Sequence, residues 1–240
     1  MKTIVFREQA DLYRHAAELF TQLAEGAIQR RSRFLVLLSG GRTPIPLYEH
    51  LTQDPWRSRI DWKNVFIGWS DERCVSPQHE ESNFRMAEET LLSHVPIPDD
   101  HVLRIKGELD PSAEAMAYET RIRSLLGREV GVDLALLGLG ADGHTASLFP
   151  AHQALQEDER WFVPVHIPSM AQSERITATL PLLNASKKVV FLATGGDKAH
   201  AFSRVRHGAL LPAGLVHAQD DGDSTWLVDT SATKNSKEND

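Results

Sequence analysis

The feature that most constrains this chain is a rhythm: runs of about five consecutive apolar residues recur along it, separated by longer stretches whose apolar residues fall at helical spacing. Strands buried on both faces read as such runs, and strands alternating with helices belong to α/β folds whose crossovers keep the strands parallel. Strands are predicted at 2–6, 34–38, 65–69, 133–137, 162–166, 176–180, 189–193 and 226–228. Leu12, Ala16, Leu19, Phe20, Leu23, Ala27 and Ile28 follow the i, i+3, i+4, i+7 pattern of an amphipathic helix. Further helices are predicted at 44–53, 82–94, 111–126 and 196–205. With no internal repeat and no Pro/Ser-rich linker, the expectation is one α/β domain over residues 1–230, with a mostly parallel, Rossmann-like doubly wound sheet flanked by helices. The polar stretch 231–240 lacks periodicity and is expected to fray.

Composition narrows the function classes. With 41% apolar and 25% charged residues the chain can build a core. Lys and Arg number 26 against 33 Asp and Glu, a net charge of −7, so no broad basic face for nucleic acid is expected and any anionic ligand must be held by a few local cations. Cys74 is the single cysteine, which excludes an intramolecular disulfide and a Cys-rich zinc site and fits a reducing, cytoplasmic setting. The apolar runs fall far short of the roughly 20 residues that span a bilayer. Charged Arg7, Glu8 and Asp11 follow the first run too closely for an export signal, so neither membrane association nor secretion is expected.

Four loops, each after a predicted strand, carry the chemistry. In open α/β sheets ligands bind beyond the carboxyl ends of strands, near a reversal in strand order, so such loops can meet in space. The first, Ser39, Gly40, Gly41, Arg42, Thr43 and Pro44, has paired glycines that let backbone N–H groups approach an anion; Thr43 and Pro44 suit the N-cap and first position of a helix. It is a plausible phosphate cradle or a plain strand-to-helix turn, and it lacks the Gly-Lys-Ser/Thr of a Walker loop. The second, Ser70 to Arg73, reads either as a solvated turn with an internal ion pair or as a site where Arg73 meets an anion. Ser82 and Asn83 behind it suit a helix cap as well as a ligand contact.

The third loop runs from Gly138 to Pro150. Its glycines match G-x-G-x-x-G literally, but the strand predicted at 162–166 ends in His-Ile-Pro with no ribose-binding acid, which argues against a dinucleotide. What the loop does offer is His144 between flexible glycines and beside Asp142, where an imidazole can take a proton from water. The other ten histidines lack such surroundings, no H-E-x-x-H spacing occurs, and neither metal nor cofactor is expected. In the fourth loop, Thr194 to Lys198, Lys198 would suit a phosphate but by itself reads rather as an ordinary solvent-facing lysine, and Arg175, opening the strand predicted at 176–180, by itself reads as an exposed edge cation.

Taken together, Ser39-Gly-Gly-Arg-Thr-Pro44, Asp71-Glu-Arg73, Ser82-Asn83, Gly140-Ala-Asp-Gly-His-Thr-Ala-Ser-Leu-Phe-Pro150, Arg175-Ile-Thr with Leu180-Pro181, and Thr194-Gly195 with Lys198 resemble the 6-phosphogluconolactonase family, in that family's order. The resemblance spans Ser39 to Val228, and the DGHTASLFP run carries most of its specificity. It implies hydrolysis of 6-phospho-D-glucono-1,5-lactone, with His144 as the base that activates water, Asp142 as its orienting partner and Asp71 at the position of an acidic base. It further implies phosphate binding by Ser39, Gly40, Gly41, Thr43, Arg175 and Lys198, with Arg73 an added anion contact. The wider superfamily includes glucosamine-6-phosphate deaminases and isomerases, whose ring-opening set falls at Asp142, His144 and Phe149; a phenylalanine where those enzymes need an acid favours the lactonase. The alternatives are an isomerase or deaminase, and a non-catalytic sugar-phosphate sensor, though no basic helix-turn-helix precedes the first motif. No G-x-S-x-G elbow supports a serine nucleophile. The expected partner is a small sugar-phosphate lactone, and the expected state a monomer or weak homo-oligomer.

Overall fold

The computed structural model describes residues 1–219 and 224–234. A strand, β1 (Lys2–Phe6), leads into the long helix α1 (Gln9–Arg31), which buries Leu12, Ala16, Phe20, Ala24 and Ala27 along one stripe. Strand β2 (Phe34–Leu38) has no exposed residue, as a central parallel strand requires. Helices α2 (Ile45–Leu51) and α3 (Trp56–Arg59) follow, then β3 (Val65–Trp69), β4 (Asp71–Arg73), α4 (Asn83–Thr90), α5 (Pro111–Leu126) and β5 (Leu134–Gly138). The chain closes with β6 (Phe162–His166), β7 (Glu174–Ala178), α6 (Leu180–Ala185), β8 (Lys188–Ala193), α7 (Ala199–Arg206), β9 (Thr225–Asp229) and α8 (Thr230–Thr233).

Six strands form an all-parallel sheet in the order β1-β9-β8-β5-β2-β3. After β2 the chain steps outward to β3 and then returns inside to β5, so the order reverses between β2 and β5. The loops after those two strands therefore border the crevice where α/β sheets bind ligands. Phe191 of β8 and Trp226 of β9, paired in register, stack with centroids 4.0 Å apart and 9° from parallel. No helix among the described residues is long and apolar enough to cross a membrane.

A second sheet, antiparallel β4-β7-β6, grows from the end of the first. Ser70 is the junction: its amide donates to the Leu38 carbonyl of β2 at 2.9 Å, and its carbonyl accepts the Ala178 amide of β7 at 2.7 Å. The second loop is thus neither a turn nor solvated, since Asp71 and Glu72 are buried in β4. Three charged residues have no apolar alternation by which to be read as a strand.

Other boundaries differ for local reasons. The strand expected at 176–180 is Glu174–Ala178, because Pro181 stands in the first turn of α6 and takes Leu180 into that helix. The strand expected at 133–137 starts one residue later; the Asp133 carboxylate instead accepts the Leu35 amide at 2.8 Å. Thr43 does not cap a helix: the N-cap of α2 is Pro44, with no side-chain hydrogen bond. The stretch expected to fray from Ser231 begins in α8, capped by Asp229 and burying Ala232. Residues 235–240 lie outside the described residues.

Candidate active site

Loops from the ends of β2, β5 and β8, with side chains of β4 and β7, enclose an open cleft of about 390 Å³, within the size range of small-molecule sites. Ser39, Gly40, Gly41, Thr43, Asp71, Arg73, His144, Arg175 and Lys198 all line it. Asp142 stands directly behind, in contact with His144. The four loops singled out in the sequence do converge.

The β5 loop is built around His144. The Asp142 carboxylate accepts the His144 backbone amide at 3.0 Å and lies 2.6 Å from ring nitrogen Nδ1 through the same oxygen. Burial pulls the Asp142 carboxyl upward, but the His144 amide, charge and ring contacts outweigh it and hold the group below its ordinary value. An ionised Asp142 requires the proton on Nδ1 and leaves Nε2 of the neutral ring as the acceptor. The ring also stacks on Phe149, 4.3 Å between centroids and 24° from parallel, and Phe149 is buried. Gly140 is necessary here, because a Cβ at that position would stand 2.1 Å from His144 Nδ1.

Across the cleft, Asp71 and Arg73 of β4 pair in register with Thr177 and Arg175 of β7. Alternation along a strand puts all four side chains on one face. Arg175 is an interior residue of β7, only 6% exposed, and not an edge cation. Its Nε donates to the Gln172 carbonyl at 3.0 Å, and Nη1 lies 3.4 Å from the Ser147 hydroxyl oxygen. Burial lowers the Arg175 pKa, with Arg73 adding to the effect and Asp71 opposing it; a guanidinium so perturbed is still a cation. Arg73 donates through Nη1 to the Glu81 carbonyl at 2.6 Å, while its buried Nε has no hydrogen-bond partner. The buried Ser39 hydroxyl likewise has none. Buried polar groups are nearly always paired, so these two orphans bordering one cleft are available to a polar ligand.

Glu72, Ser82 and Asn83 are structural supports. Glu72 accepts the Asn83 and Phe84 amides, both at 2.8 Å, and the Ser82 hydroxyl at 3.1 Å, pinning the start of α4 to β4. Ser82 caps that helix through the Arg85 amide, and Asn83 Nδ2 donates to the Asp71 carbonyl at 2.8 Å. Gly41 turns the first loop at φ +80, in the left-handed region that favours glycine. Lys198 enters from the β8 loop with its ammonium 2.9 Å from the Asp197 carboxylate.

Three supports escaped the sequence reading. The Tyr13 phenol of α1 donates to the Thr43 carbonyl at 2.8 Å, tying the first loop to that helix. Asp229, at the carboxyl end of β9, accepts the Gly195 amide at 3.1 Å and Gln9 Nε2 at 2.7 Å. Ser147 donates its hydroxyl proton to Asp71 at 2.6 Å. A polar residue just past an apolar strand was the available signal for Asp229; nothing in the spacing points to Tyr13.

A larger hollow of about 570 Å³ lies beside α4, lined by Phe84, Leu92, Val102 and Lys106 among others. Its cations Arg104 and Arg121 are engaged by Glu108 and Glu114, and it contains no base–carboxylate pair like that of His144. Among the described residues, no group of three or more His, Cys, Asp or Glu is arranged to hold a metal.

Comparison with known proteins places this geometry in context. The family model described as glucosamine-6-phosphate isomerases/6-phosphogluconolactonase matches residues 7–226. The chain is 35% identical over 246 residues to "Probable 6-phosphogluconolactonase 2" of Oryza sativa subsp. indica, covering 95% of this chain and 87% of that one. It is 35% identical over 229 residues to "6-phosphogluconolactonase 3, chloroplastic" of Arabidopsis thaliana, covering 90% and 70%; that relative's compartment differs from the cytoplasm expected here. The crystal structure of 6-phosphogluconolactonase from Thermotoga maritima superposes with a TM-score of 0.85 at 28% identity, covering 95% of this chain and 99% of that one.

Proposed function

Because this chain belongs to the glucosamine-6-phosphate isomerase/6-phosphogluconolactonase family, we propose that it hydrolyses 6-phospho-D-glucono-1,5-lactone to 6-phospho-D-gluconate, the hydrolytic step of the oxidative pentose phosphate pathway. The observation that carries the reading is the Asp142-backed His144 imidazole in one cleft with Arg175 and Lys198. Phe149 supports it over a deaminase, since a buried ring stacked on His144 supplies no acid for sugar-ring opening.

In this mechanism the 6-phosphate is held by the backbone of residues 39–43, the Thr43 hydroxyl, Arg175 and Lys198. His144 Nε2 takes a proton from water as the oxygen adds to the lactone carbonyl. Collapse of the tetrahedral adduct breaks the bond from C1 to the ring oxygen, and that oxygen recovers the proton from the imidazolium. Asp142 holds the imidazole and steadies its charge. General-base help contributes roughly 10²- to 10⁴-fold, and one oxyanion donor roughly 10²- to 10³-fold. Arg73, with its unpartnered Nε, and the glycine-loop amides are the donors available to the oxyanion. Asp71, at the position the resemblance gives to an acidic base, borders the same cleft. The proposed catalytic unit is residues 1–230, acting without cofactor or metal in the cytoplasm as a monomer or weak homo-oligomer; the single cysteine supports a reducing compartment.

The test is a pH-controlled assay of lactone opening, corrected for the spontaneous rate and run with chelator present. Accelerated opening is expected. No acceleration, or ammonia release from glucosamine 6-phosphate, overturns the reading.

A further inference from the structure

Asp71 borders the cleft, yet its carboxylate is committed on the protein side. It is 5% exposed, Oδ2 accepts the Ser147 hydroxyl at 2.6 Å, and Asn83 Nδ2, bonded mainly to the Asp71 carbonyl, lies 3.5 Å from Oδ1. A hydroxyl has one proton to give. With that O–H directed at Asp71, the fully buried Ser147 oxygen offers only lone pairs to other groups, and Arg175 Nη1 lies 3.4 Å away. The sequence of groups is guanidinium, hydroxyl, carboxylate, with charge falling from positive to negative along it.

The backbone is arranged to keep Ser147 in that place. Thr145 and Leu148 bond each other across a two-residue turn, the Leu148 amide to the Thr145 carbonyl at 2.9 Å and the reverse bond at 3.3 Å. Ala146 takes φ 48 within it, a left-handed conformation that costs a non-glycine residue about 1 kcal/mol or more. The Ser147 amide is tied to Thr177 Oγ1 on β7 at 3.0 Å. The segment that carries His144 is thereby fastened to the sheet that carries Arg175. That sheet also has a charge problem: Arg73 and Arg175 are direct cross-strand neighbours, an arrangement that is destabilising unless offset, and among the described residues neither forms an ion pair with a carboxylate. Asp71 on the same face is the compensating anion, and it reaches Arg175 through Ser147.

We infer that Ser147 is a positioning residue that aims the Arg175 guanidinium into the cleft, and that Asp71 is the buried counter-charge of this relay and carries no proton to or from the substrate. What Arg175 grips, the phosphate, rests on the lactonase reading. The relay itself is a property of the protein alone, and the experiment separates the two.

Ser147→Ala and Asp71→Asn are compared with wild type for 6-phosphogluconate binding by calorimetry, for lactone kinetics, and for the Arg175 Nε–Hε NMR signal without ligand. Both variants are expected to weaken binding about tenfold, the size of one charge-assisted hydrogen bond. kcat should stay within about threefold of wild type, as loss of uniform binding requires. In an Arg175→Ala background, Ser147→Ala should add no more than about twofold, because the two residues act as one unit. The Arg175 signal should move in both variants. Equal loss in both backgrounds, or Asp71→Asn abolishing turnover at unchanged KM, overturns the inference. Should wild type neither bind 6-phosphogluconate nor open the lactone, the functional reading fails, and the NMR signal decides the relay: displaced in both variants it stands, unmoved it falls. Ser147→Cys, close in shape and a weaker acceptor, replaces the alanine variant if that one does not fold.

Discussion

The imidazole of His144 lies face to face with the buried ring of Phe149, their centroids 4.3 Å apart. Such a contact fixes the plane of a ring that the short Asp142 bond fixes in tautomer. An aromatic pair is worth about 0.5–1.5 kcal/mol, so Phe149→Ala is expected to lower kcat about 3- to 10-fold through a looser imidazole, and Phe149→Tyr much less. Steady-state kinetics, run well below the reduced melting point of the alanine variant, measure this. An unchanged kcat shows that the stacking does not orient the base.

Removing the base is expected to cost far more. His144→Ala and His144→Gln should lose at least about 10²-fold in kcat with little change in KM. Asp142→Asn keeps the shape while losing the charge that selects the Nδ1–H tautomer, so its loss should be intermediate, about 10- to 100-fold. A His144 variant with wild-type turnover removes the base assignment.

The cations should behave in the opposite way. Arg175→Ala and Lys198→Ala are each expected to raise KM about 10- to 100-fold and to change kcat little, as the loss of a charged hydrogen bond predicts. Substrate titrations of both variants read this directly. A kcat loss equal to that of His144→Ala assigns them to the chemical step instead.

Gly140→Ala tests whether the site tolerates any displacement of the imidazole. A Cβ would stand 2.1 Å from Nδ1, so the ring must swing off Asp142 or the loop must shift. Overpacking of this kind costs about 1–3 kcal/mol. The expected result is a folded protein with a lowered melting point and most of its turnover gone; normal kcat with the His144–Asp142 contact intact in a crystal structure refutes the constraint.

Asp142 should titrate abnormally. Its folded pKa lies below the ordinary value, because the contacts with His144 outweigh the cost of burial. With an unfolded value of about 3.9, its contribution to stability is complete above that pH and is lost as pH falls through the lower folded value. The side chain is 46% exposed, so solvent keeps that contribution small. Carbon-13 titration of the carboxyl should give a midpoint below about 3.9 that rises in His144→Ala; a native midpoint at or above the ordinary value contradicts the assigned contacts.

The parts legible in the sequence were those that repeat a pattern. β2, β8 and α1 stood out because five unbroken apolar residues or a stripe at helical spacing leave little choice of element. The four loops were legible because each breaks such a run with glycine, hydroxyl or charge. β4 was not, since Asp-Glu-Arg becomes a strand only where Ser70 bridges two sheets. The same step buries Asp71 and Glu72, which by composition belong in solvent. The roles of Ser147 and Tyr13 depend on contacts between residues far apart in the chain, Ser147 with Asp71 and Tyr13 with Thr43, which no local period reports.

Asp229 brings together distant stretches of the polypeptide, receiving Gln9 from the first helix, Gly195 from the loop after β8 and Ala232 from α8. During translation, the segments carrying Thr43 and His144 leave the ribosome early, whereas the bond from Gly195 to Asp229 cannot form until β9 has emerged. A nascent chain halted before that point would hold His144 but lack the contact that fastens the loop after β8 to the last strand of the sheet.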